Sequence, residues 1–203
     1  DHYYKQAFEA YANSVSQFDY DESDITLATE MLIRAVELNP KHKAAWGLLG
    51  NLRVLQSKYT EGLECYSKAD EKYLAYQDVL NEFLGQESIG VEGALKLIRL
   101  VDPLKDKRFR NHLIFKGIHG LENKEGLFEF SLGALAVVNK LDGITYKYDE
   151  ETKTLDLKDN QLRTVYPLKT LRIEGLSLQG GLGRGHELYN LRNIPLRHLD
   201  LSY

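Results

Sequence analysis

The feature that most restricts this chain is a spacing. Large and small residues alternate over Trp46, Leu49, Gly50, Tyr59, Gly62, Tyr66 and Ala69, and a shift of 34 residues lands on Ala12, Val15, Ser16, Ile25, Ala28, Leu32 and Ala35. One such segment reads as two short amphipathic helices joined by a turn near 56–58. Its small residues fall where helix backbones approach closely, and its large ones fill the gaps between helices. A period of this length means that each unit buries its apolar face only against a neighbour. Leu38, Asn39 and Pro40 close the first unit, because proline cannot continue a helix.

On these residues the two units resemble tetratricopeptide repeats over roughly 9–76. The second unit carries the Trp46-Gly47-Leu48-Leu49-Gly50 start and the Tyr59, Gly62, Tyr66, Ala69 second helix. It departs from the family at Arg53, where tyrosine is usual, and the first unit has Ala12 where a large aromatic is expected. The resemblance implies a stack of helix hairpins whose first helices line a groove for an extended peptide. Carried over by position, the groove residues are Asn13 and Gln17 in the first unit and Gly47, Asn51, Val54 and Leu55 in the second. Asn51 is the foremost of these, since an asparagine amide both donates to and accepts from a peptide backbone. The cations that grip a C-terminal carboxylate in chaperone-binding members are missing from these positions.

Helical spacing continues beyond the second unit. Tyr73, Tyr76, Val79, Leu80, Phe83 and Leu84 form one stripe, and Ala94, Leu95, Leu97, Ile98 and Val101 form another, up to Pro103. This pair is out of register with the period and reads as a degenerate repeat or cap. Two more helices are expected over 107–121 and 125–141. At Asp142-Gly143 the periodicity changes. Ile144-Thr145-Tyr146-Lys147-Tyr148 and Thr154-Leu155-Asp156-Leu157 alternate with period two around a polar turn, which predicts a β-hairpin.

The LxLxxNxL pattern from Leu155 to Leu162, the Leu168, Leu171, Ile173 stretch with Leu176 and Leu178 behind it, and Leu196, Leu199, Leu201 resemble leucine-rich repeats over 153–203. The resemblance implies one short strand per repeat, with Asn160 bonding neighbouring backbone turns. The repeat steps read as 16 residues from Leu155 to Leu171 and 28 from Leu171 to Leu199. Asp156, Lys158, Arg172, Glu174, Asp200 and Ser202 alternate with the leucines and are expected to point outward, with Arg172 and Glu174 the candidate partner contacts. The last strand is expected to leave an open edge. Helical repeats followed by short leucine-rich repeats are similar to the C-terminal halves of some bacterial multidomain serine/threonine kinases, although no kinase motif is present.

Charge is unevenly spread. Residues 1–90 carry 8 Lys+Arg and 15 Asp+Glu, and the remainder carry 18 and 15. A pI near 5.9 excludes the concentrated basic footprint of a dedicated nucleic-acid binder. The densest basic stretch, Lys105, Lys107, Arg108, Arg110 and Lys116, is read as a solvated helix face, with an anionic partner as the alternative. The lone Cys65 cannot form an internal disulfide and has Glu64 beside it, so it is read as a packing residue. His112 and His119 lack further ligands at zinc spacing. Asp19, Asp21, Glu22 and Asp24 lack the glycine and terminal glutamate of a calcium loop. The glycines at 180, 181, 183 and 185 do not match a dinucleotide or Walker loop and are read as a repeat insert.

The expected fold is α+β: a helical repeat domain at 1–103, a helical connector at 104–143, and a hairpin with leucine-rich repeats at 144–203. The expected function is a non-enzymatic scaffold for a protein or peptide partner, with no cofactor, metal, nucleic acid or membrane, and a cytoplasmic location. The chain starts at Asp1 and reads as a piece of something longer. Two alternatives stand beside this reading. One is self-assembly into oligomers through the open edge, and the other is a phosphate-ligand site at 180–185.

Overall fold

A computed structural model describes residues 2–13, 22–85, 90–101, 107–120, 124–169, 171–180, 188, 190–192 and 194–202. The chain divides into two compact units, 1–116 and 117–203. The fold is α+β, with helical repeats first and a small sheet at the C-terminal end.

Unit 1 contains α1 (His2–Asn13), α2 (Glu22–Leu38), α3 (Lys43–Leu55), α4 (Tyr59–Ser67), α5 (Leu74–Glu82), α6 (Gly90–Val101) and the first part of α7 (Lys107–Gly120). Consecutive helices pack as hairpins, α1 on α2, α3 on α4 and α5 on α6. The stretch expected as a connector at 104–143 is therefore shared: the part of α7 up to Lys116 packs with the repeats, and α8 (Lys124–Asn139) belongs to unit 2.

Local chemistry sets the helix boundaries. After Pro40, the His42 side chain accepts a hydrogen bond from the Ala45 amide at 3.2 Å and caps α3. The Trp46 indole N–H donates to the Pro40 carbonyl at 2.8 Å, and Lys68 at the end of α4 lies 4.3 Å from the Trp46 ring centroid. Ser57 takes φ +60 between α3 and α4, where the Lys58 amide closes back on the Arg53 carbonyl at 2.8 Å. The helices then cross very closely. A Cβ added at Gly50 would overlap the Tyr66 ring, and one added at Gly62 would meet Val54 Cγ2 at 3.2 Å and the Gly50 carbonyl at 3.5 Å.

Unit 2 places α8 beside a four-stranded sheet of order β1 (Lys147–Asp149), β2 (Thr154–Asp156), β3 (Gly175–Ser177), β4 (His198–Asp200). β1 and β2 are antiparallel, the hairpin that the alternation predicts. β2, β3 and β4 are parallel, with Leu155, Leu176 and Leu199 at one register position. The repeat step is thus 21 residues and then 23, which corrects the 16 and 28 read from the sequence. The error was in taking Leu171 as a strand residue. Tyr166–Leu168 forms a single turn of 3-10 helix with Pro167 inside it, and proline has no N–H for a ladder. Leu168, Leu171 and Ile173 instead fill the core with Leu155, Leu157, Leu176, Leu178 and Leu132 and Leu135 of α8.

Two buried asparagines satisfy backbone that the ladder leaves over. Asn160 donates to the carbonyls of Thr145 at 2.6 Å and Leu157 at 2.9 Å, and accepts from the Thr145 amide at 3.1 Å. Asn139, the last residue of α8, donates to the carbonyls of Leu135 at 2.8 Å and Thr164 at 2.9 Å, and accepts from the amides of Arg163 and Thr164.

Gly50→Ala is expected to destabilise unit 1 by about 2–3 kcal/mol, because a methyl forced against a packed ring costs more than the helix propensity it gains. Gly143→Ala, where no atom lies within 4 Å of the added carbon, is expected to stay within about 0.5 kcal/mol. Urea unfolding of both variants measures the difference.

Candidate functional site

Tyr66 of α4, Tyr73 just before α5 and Tyr76 of α5 form a buried ring cluster, with Tyr66 and Tyr73 lying against the glycines of α3. The Tyr66 hydroxyl donates to the Asn51 side-chain oxygen at 2.9 Å. Tyr66 stacks on Tyr73 at 5.1 Å between centroids, and Tyr76 meets both edge-on at 5.6 Å. Tyr11 of α1 and these three tyrosines are all buried. The run of tyrosines in the sequence is thus used for packing. Burial, reinforced by the neighbouring tyrosines, holds the Tyr66 hydroxyl far above its ordinary range.

α7 packs against this cluster and against α1. Phe109 of α7 packs against Tyr76 of α5 at 6.0 Å, and the His112 ring stacks on Tyr11 of α1 at 4.7 Å and 14°. Arg108 places its guanidinium carbon 4.9 Å from the Phe8 ring centroid. Phe109 and His112 are both 0% exposed. Between the two helices that α7 touches, α3 has no exposed residue from Ala45 to Leu55.

The sequence-derived groove residues therefore need correcting. Asn51, Val54 and Leu55 are 1%, 2% and 1% exposed and belong to the core. Gly47 is buried, and a Cβ there would overlap the Tyr73 ring. Asn13 is exposed at the end of α1, and Gln17 lies outside the described residues. The sequence places Phe109 on a helix and His112 among histidines without zinc partners, and does not show that they meet Tyr76 and Tyr11. The available signal was electrostatic, since α7 carries Lys107, Arg108, Arg110 and Lys116 with no carboxylate, behind an acidic front half.

Burial governs the titratable groups here. Loss of solvent pushes the His112 ring down to about 4, against its 2.8 Å contact with the Arg108 carbonyl, which favours the charged form. Burial takes Lys116 down to about 8, opposed by the Glu22 carboxylate. The Cys65 thiol is pushed up to about 11 by burial, so it is not a thiolate nucleophile at neutral pH. Among the described residues no group of three or more His, Cys, Asp or Glu could hold a metal ion, and no helix is long and apolar enough to cross a membrane.

The second polar face is the outward side of the sheet. Lys147, Asp156, Ser177 and Asp200 stand at one register position across all four strands. Arg172 is exposed. Glu174 is already engaged, with Lys153 Nζ at 2.6 Å and Arg197 Nε at 3.1 Å, and the hydrogen bond from Lys153 and the Arg197 charge hold its carboxyl below the usual range. Its carbonyl also accepts from the Arg197 and His198 amides at 2.7 and 3.0 Å. It is a clasp between successive loops rather than a free ligand. The Gln179 amide donates to Asp200 at 3.2 Å and Ser202 at 2.7 Å, continuing the polar row. Of the glycine stretch only Gly180, with φ +68, is described; 181–187, and with them the phosphate reading, lie outside the described residues.

No protein-family model matches the chain, and no solved structure matches it. General transcription factor 3C polypeptide 3 of Homo sapiens is 23% identical over 109 residues, which is 51% of this chain. The match spans 12% of that protein's length. The similarity is to a human protein, and it lends nothing to the bacterial kinase setting that the repeat pairing suggests.

His112 gives this site a pH signature. Its folded value is about 4 against an unfolded value near 6.5, so below neutrality the unfolded chain takes up the proton first. Stability is full above pH 6.5 and falls as pH drops towards 4, with a loss of about 2 kcal/mol between pH 7.5 and 5. Urea unfolding at the two values measures it, and His112→Phe is expected to remove this contribution.

Proposed function

We propose that this chain is a non-catalytic scaffold for protein–protein interaction, in which a tetratricopeptide-like helical array precedes a leucine-rich-repeat-like array. The observation that carries the proposal is the contrast between its two faces. The groove side of the helices is filled with the chain's own rings, while the outward side of the sheet presents an ordered polar row. A step of 21 and 23 residues per parallel strand, with Asn160 bonded to neighbouring turns, supports the leucine-rich-repeat reading of the second array. A protein partner is in keeping with the similarity to a polypeptide of a general transcription factor. Mixed charge in an open row suits a polar, steered protein interface.

The test keeps the charge and alters only its pattern. Lys147 and Asp156 are cross-strand partners, so Lys147→Glu with Asp156→Lys inverts the row without changing net charge. Cross-linked complexes from an extract of the source organism, read by mass spectrometry, are expected to lose the sheet-bound partner with this double variant and retain it with Asn13→Ala. Unchanged capture by the double variant would reject the sheet face as the binding surface.

One observation favours a second reading, self-assembly through β4. Leu199 is 40% exposed, whereas Leu155 and Leu176 at the same register are 0%. An open strand carrying an apolar residue invites pairing. If it does so, sedimentation shows mass rising with concentration and Leu199→Glu abolishes the rise; a monomer at high concentration excludes it.

A further inference from the structure

We propose that β4 joins the sheet to a second copy of this chain, the two β4 strands lying antiparallel with Leu199 of each copy on a two-fold axis, a pairing that rests on the self-assembly reading of that strand.

The backbone fixes which groups are on offer. The His198 amide donates to the Glu174 carbonyl at 3.0 Å, and the carbonyls of Asp200 and Ser202 accept from the Leu178 and Gly180 amides at 2.8 and 3.2 Å. His198, Asp200 and Ser202 therefore turn their polar groups towards β3. Neighbouring residues of an extended strand turn theirs to opposite sides, so the N–H and C=O of Leu199 face away from β3. β4 is the last strand in the sheet order among the described residues. An antiparallel copy centred on Leu199 takes both groups, the Leu199 amide of each copy donating to the Leu199 carbonyl of the other.

The side chains select the same axis. Directly opposite residues share a face of the sheet, so His198 of one copy stands against Asp200 of the other, and the symmetry repeats the pair. An imidazole N–H donates to a carboxylate, and hydrogen bonds from Ser202 hold the Asp200 carboxyl below the usual range, in its charged form at neutral pH. Moving the axis by one residue sets Asp200 against Asp200 or His198 against His198 instead. Leu199 shares its register with Leu155 and Leu176, which are 0% exposed, and is itself 40% exposed. On the axis it meets its own copy, and the leucine rows of the two sheets run into each other. The opposite edge offers no equivalent seat, because Tyr148, at the same register on β1, already packs against Phe128 at 4.9 Å between ring centroids. Pairing of β4 with itself stops at two copies, whereas pairing of β4 with β1 would continue into a filament.

Sedimentation of the full chain is expected to level off at twice the monomer mass. His198→Asp and Asp200→Lys each set like charges opposite one another, and each alone is expected to weaken the dimer about tenfold. An equimolar mixture of the two variants is expected to restore it, since both cross-strand pairs are again of opposite sign. Growth beyond two copies, or a mixture that associates no better than either variant alone, overturns the two-fold register while self-assembly stands; a monomer at high concentration removes both. Should Asp200→Lys lose its circular dichroism, the exposed His198 decides. His198→Lys is expected to dimerise at least about tenfold more tightly than His198→Asp, and equal association of these two overturns the proposal. The Lys147→Glu, Asp156→Lys variant is expected to dimerise as wild type does, so the sheet-face proposal fails separately.

Discussion

The Tyr66 ring lies against the backbone of α3 at Gly50, and its hydroxyl donates a hydrogen bond to the side-chain oxygen of Asn51, one residue along the same helix. Much else in unit 1 depends on this arrangement. Only a missing side chain lets the ring come so close, and only a buried acceptor lets its hydroxyl go with it. With Tyr66 fixed, Tyr73 and Tyr76 have a surface to pack on, and with those in place α5 has an orientation. The same cluster then offers Phe109 its seat. The helices are thereby joined around an aromatic socket.

Unit 2 solves a different problem with a similar device. Its strands are only three residues long, so the ladder alone satisfies few backbone groups. Asn160 and Asn139 supply the rest from within, each tying a loop to a neighbouring element. Outside, Glu174 fastens Lys153 on one side and Arg197 on the other. The sheet is thus held by polar contacts at its loops as well as by leucines in its core.

Much of the architecture was legible because it is written in spacing. The 34-residue shift, Pro40 and the alternation at 144–157 each report a local constraint, and each corresponds to an element boundary or a hairpin. What was not legible depends on which segments meet. Asn51 stands at a groove position and has the right chemistry for a peptide, but nothing near it in sequence announces that Tyr66 takes its oxygen. Leu171 looks like the next strand leucine until Pro167 is weighed and Gly175 is seen to run against Thr154. His112 was examined as a metal ligand, whereas its role is to stack on a ring about a hundred positions away. Position-wise transfer from a family works for residues that set the pattern and fails where another segment covers the face.

The sheet's connectivity also carries a temporal consequence. β1 meets β2 across a short turn, whereas β3 and β4 must travel 21 and 23 residues to lie parallel to the strand before them. Loop closure makes each later pairing dearer by roughly 1 kcal/mol than the first. Each strand also needs its predecessor in place as a template. The order of cheapest assembly is therefore the order in which a ribosome delivers the strands, so the sheet can extend from its first hairpin as the chain emerges.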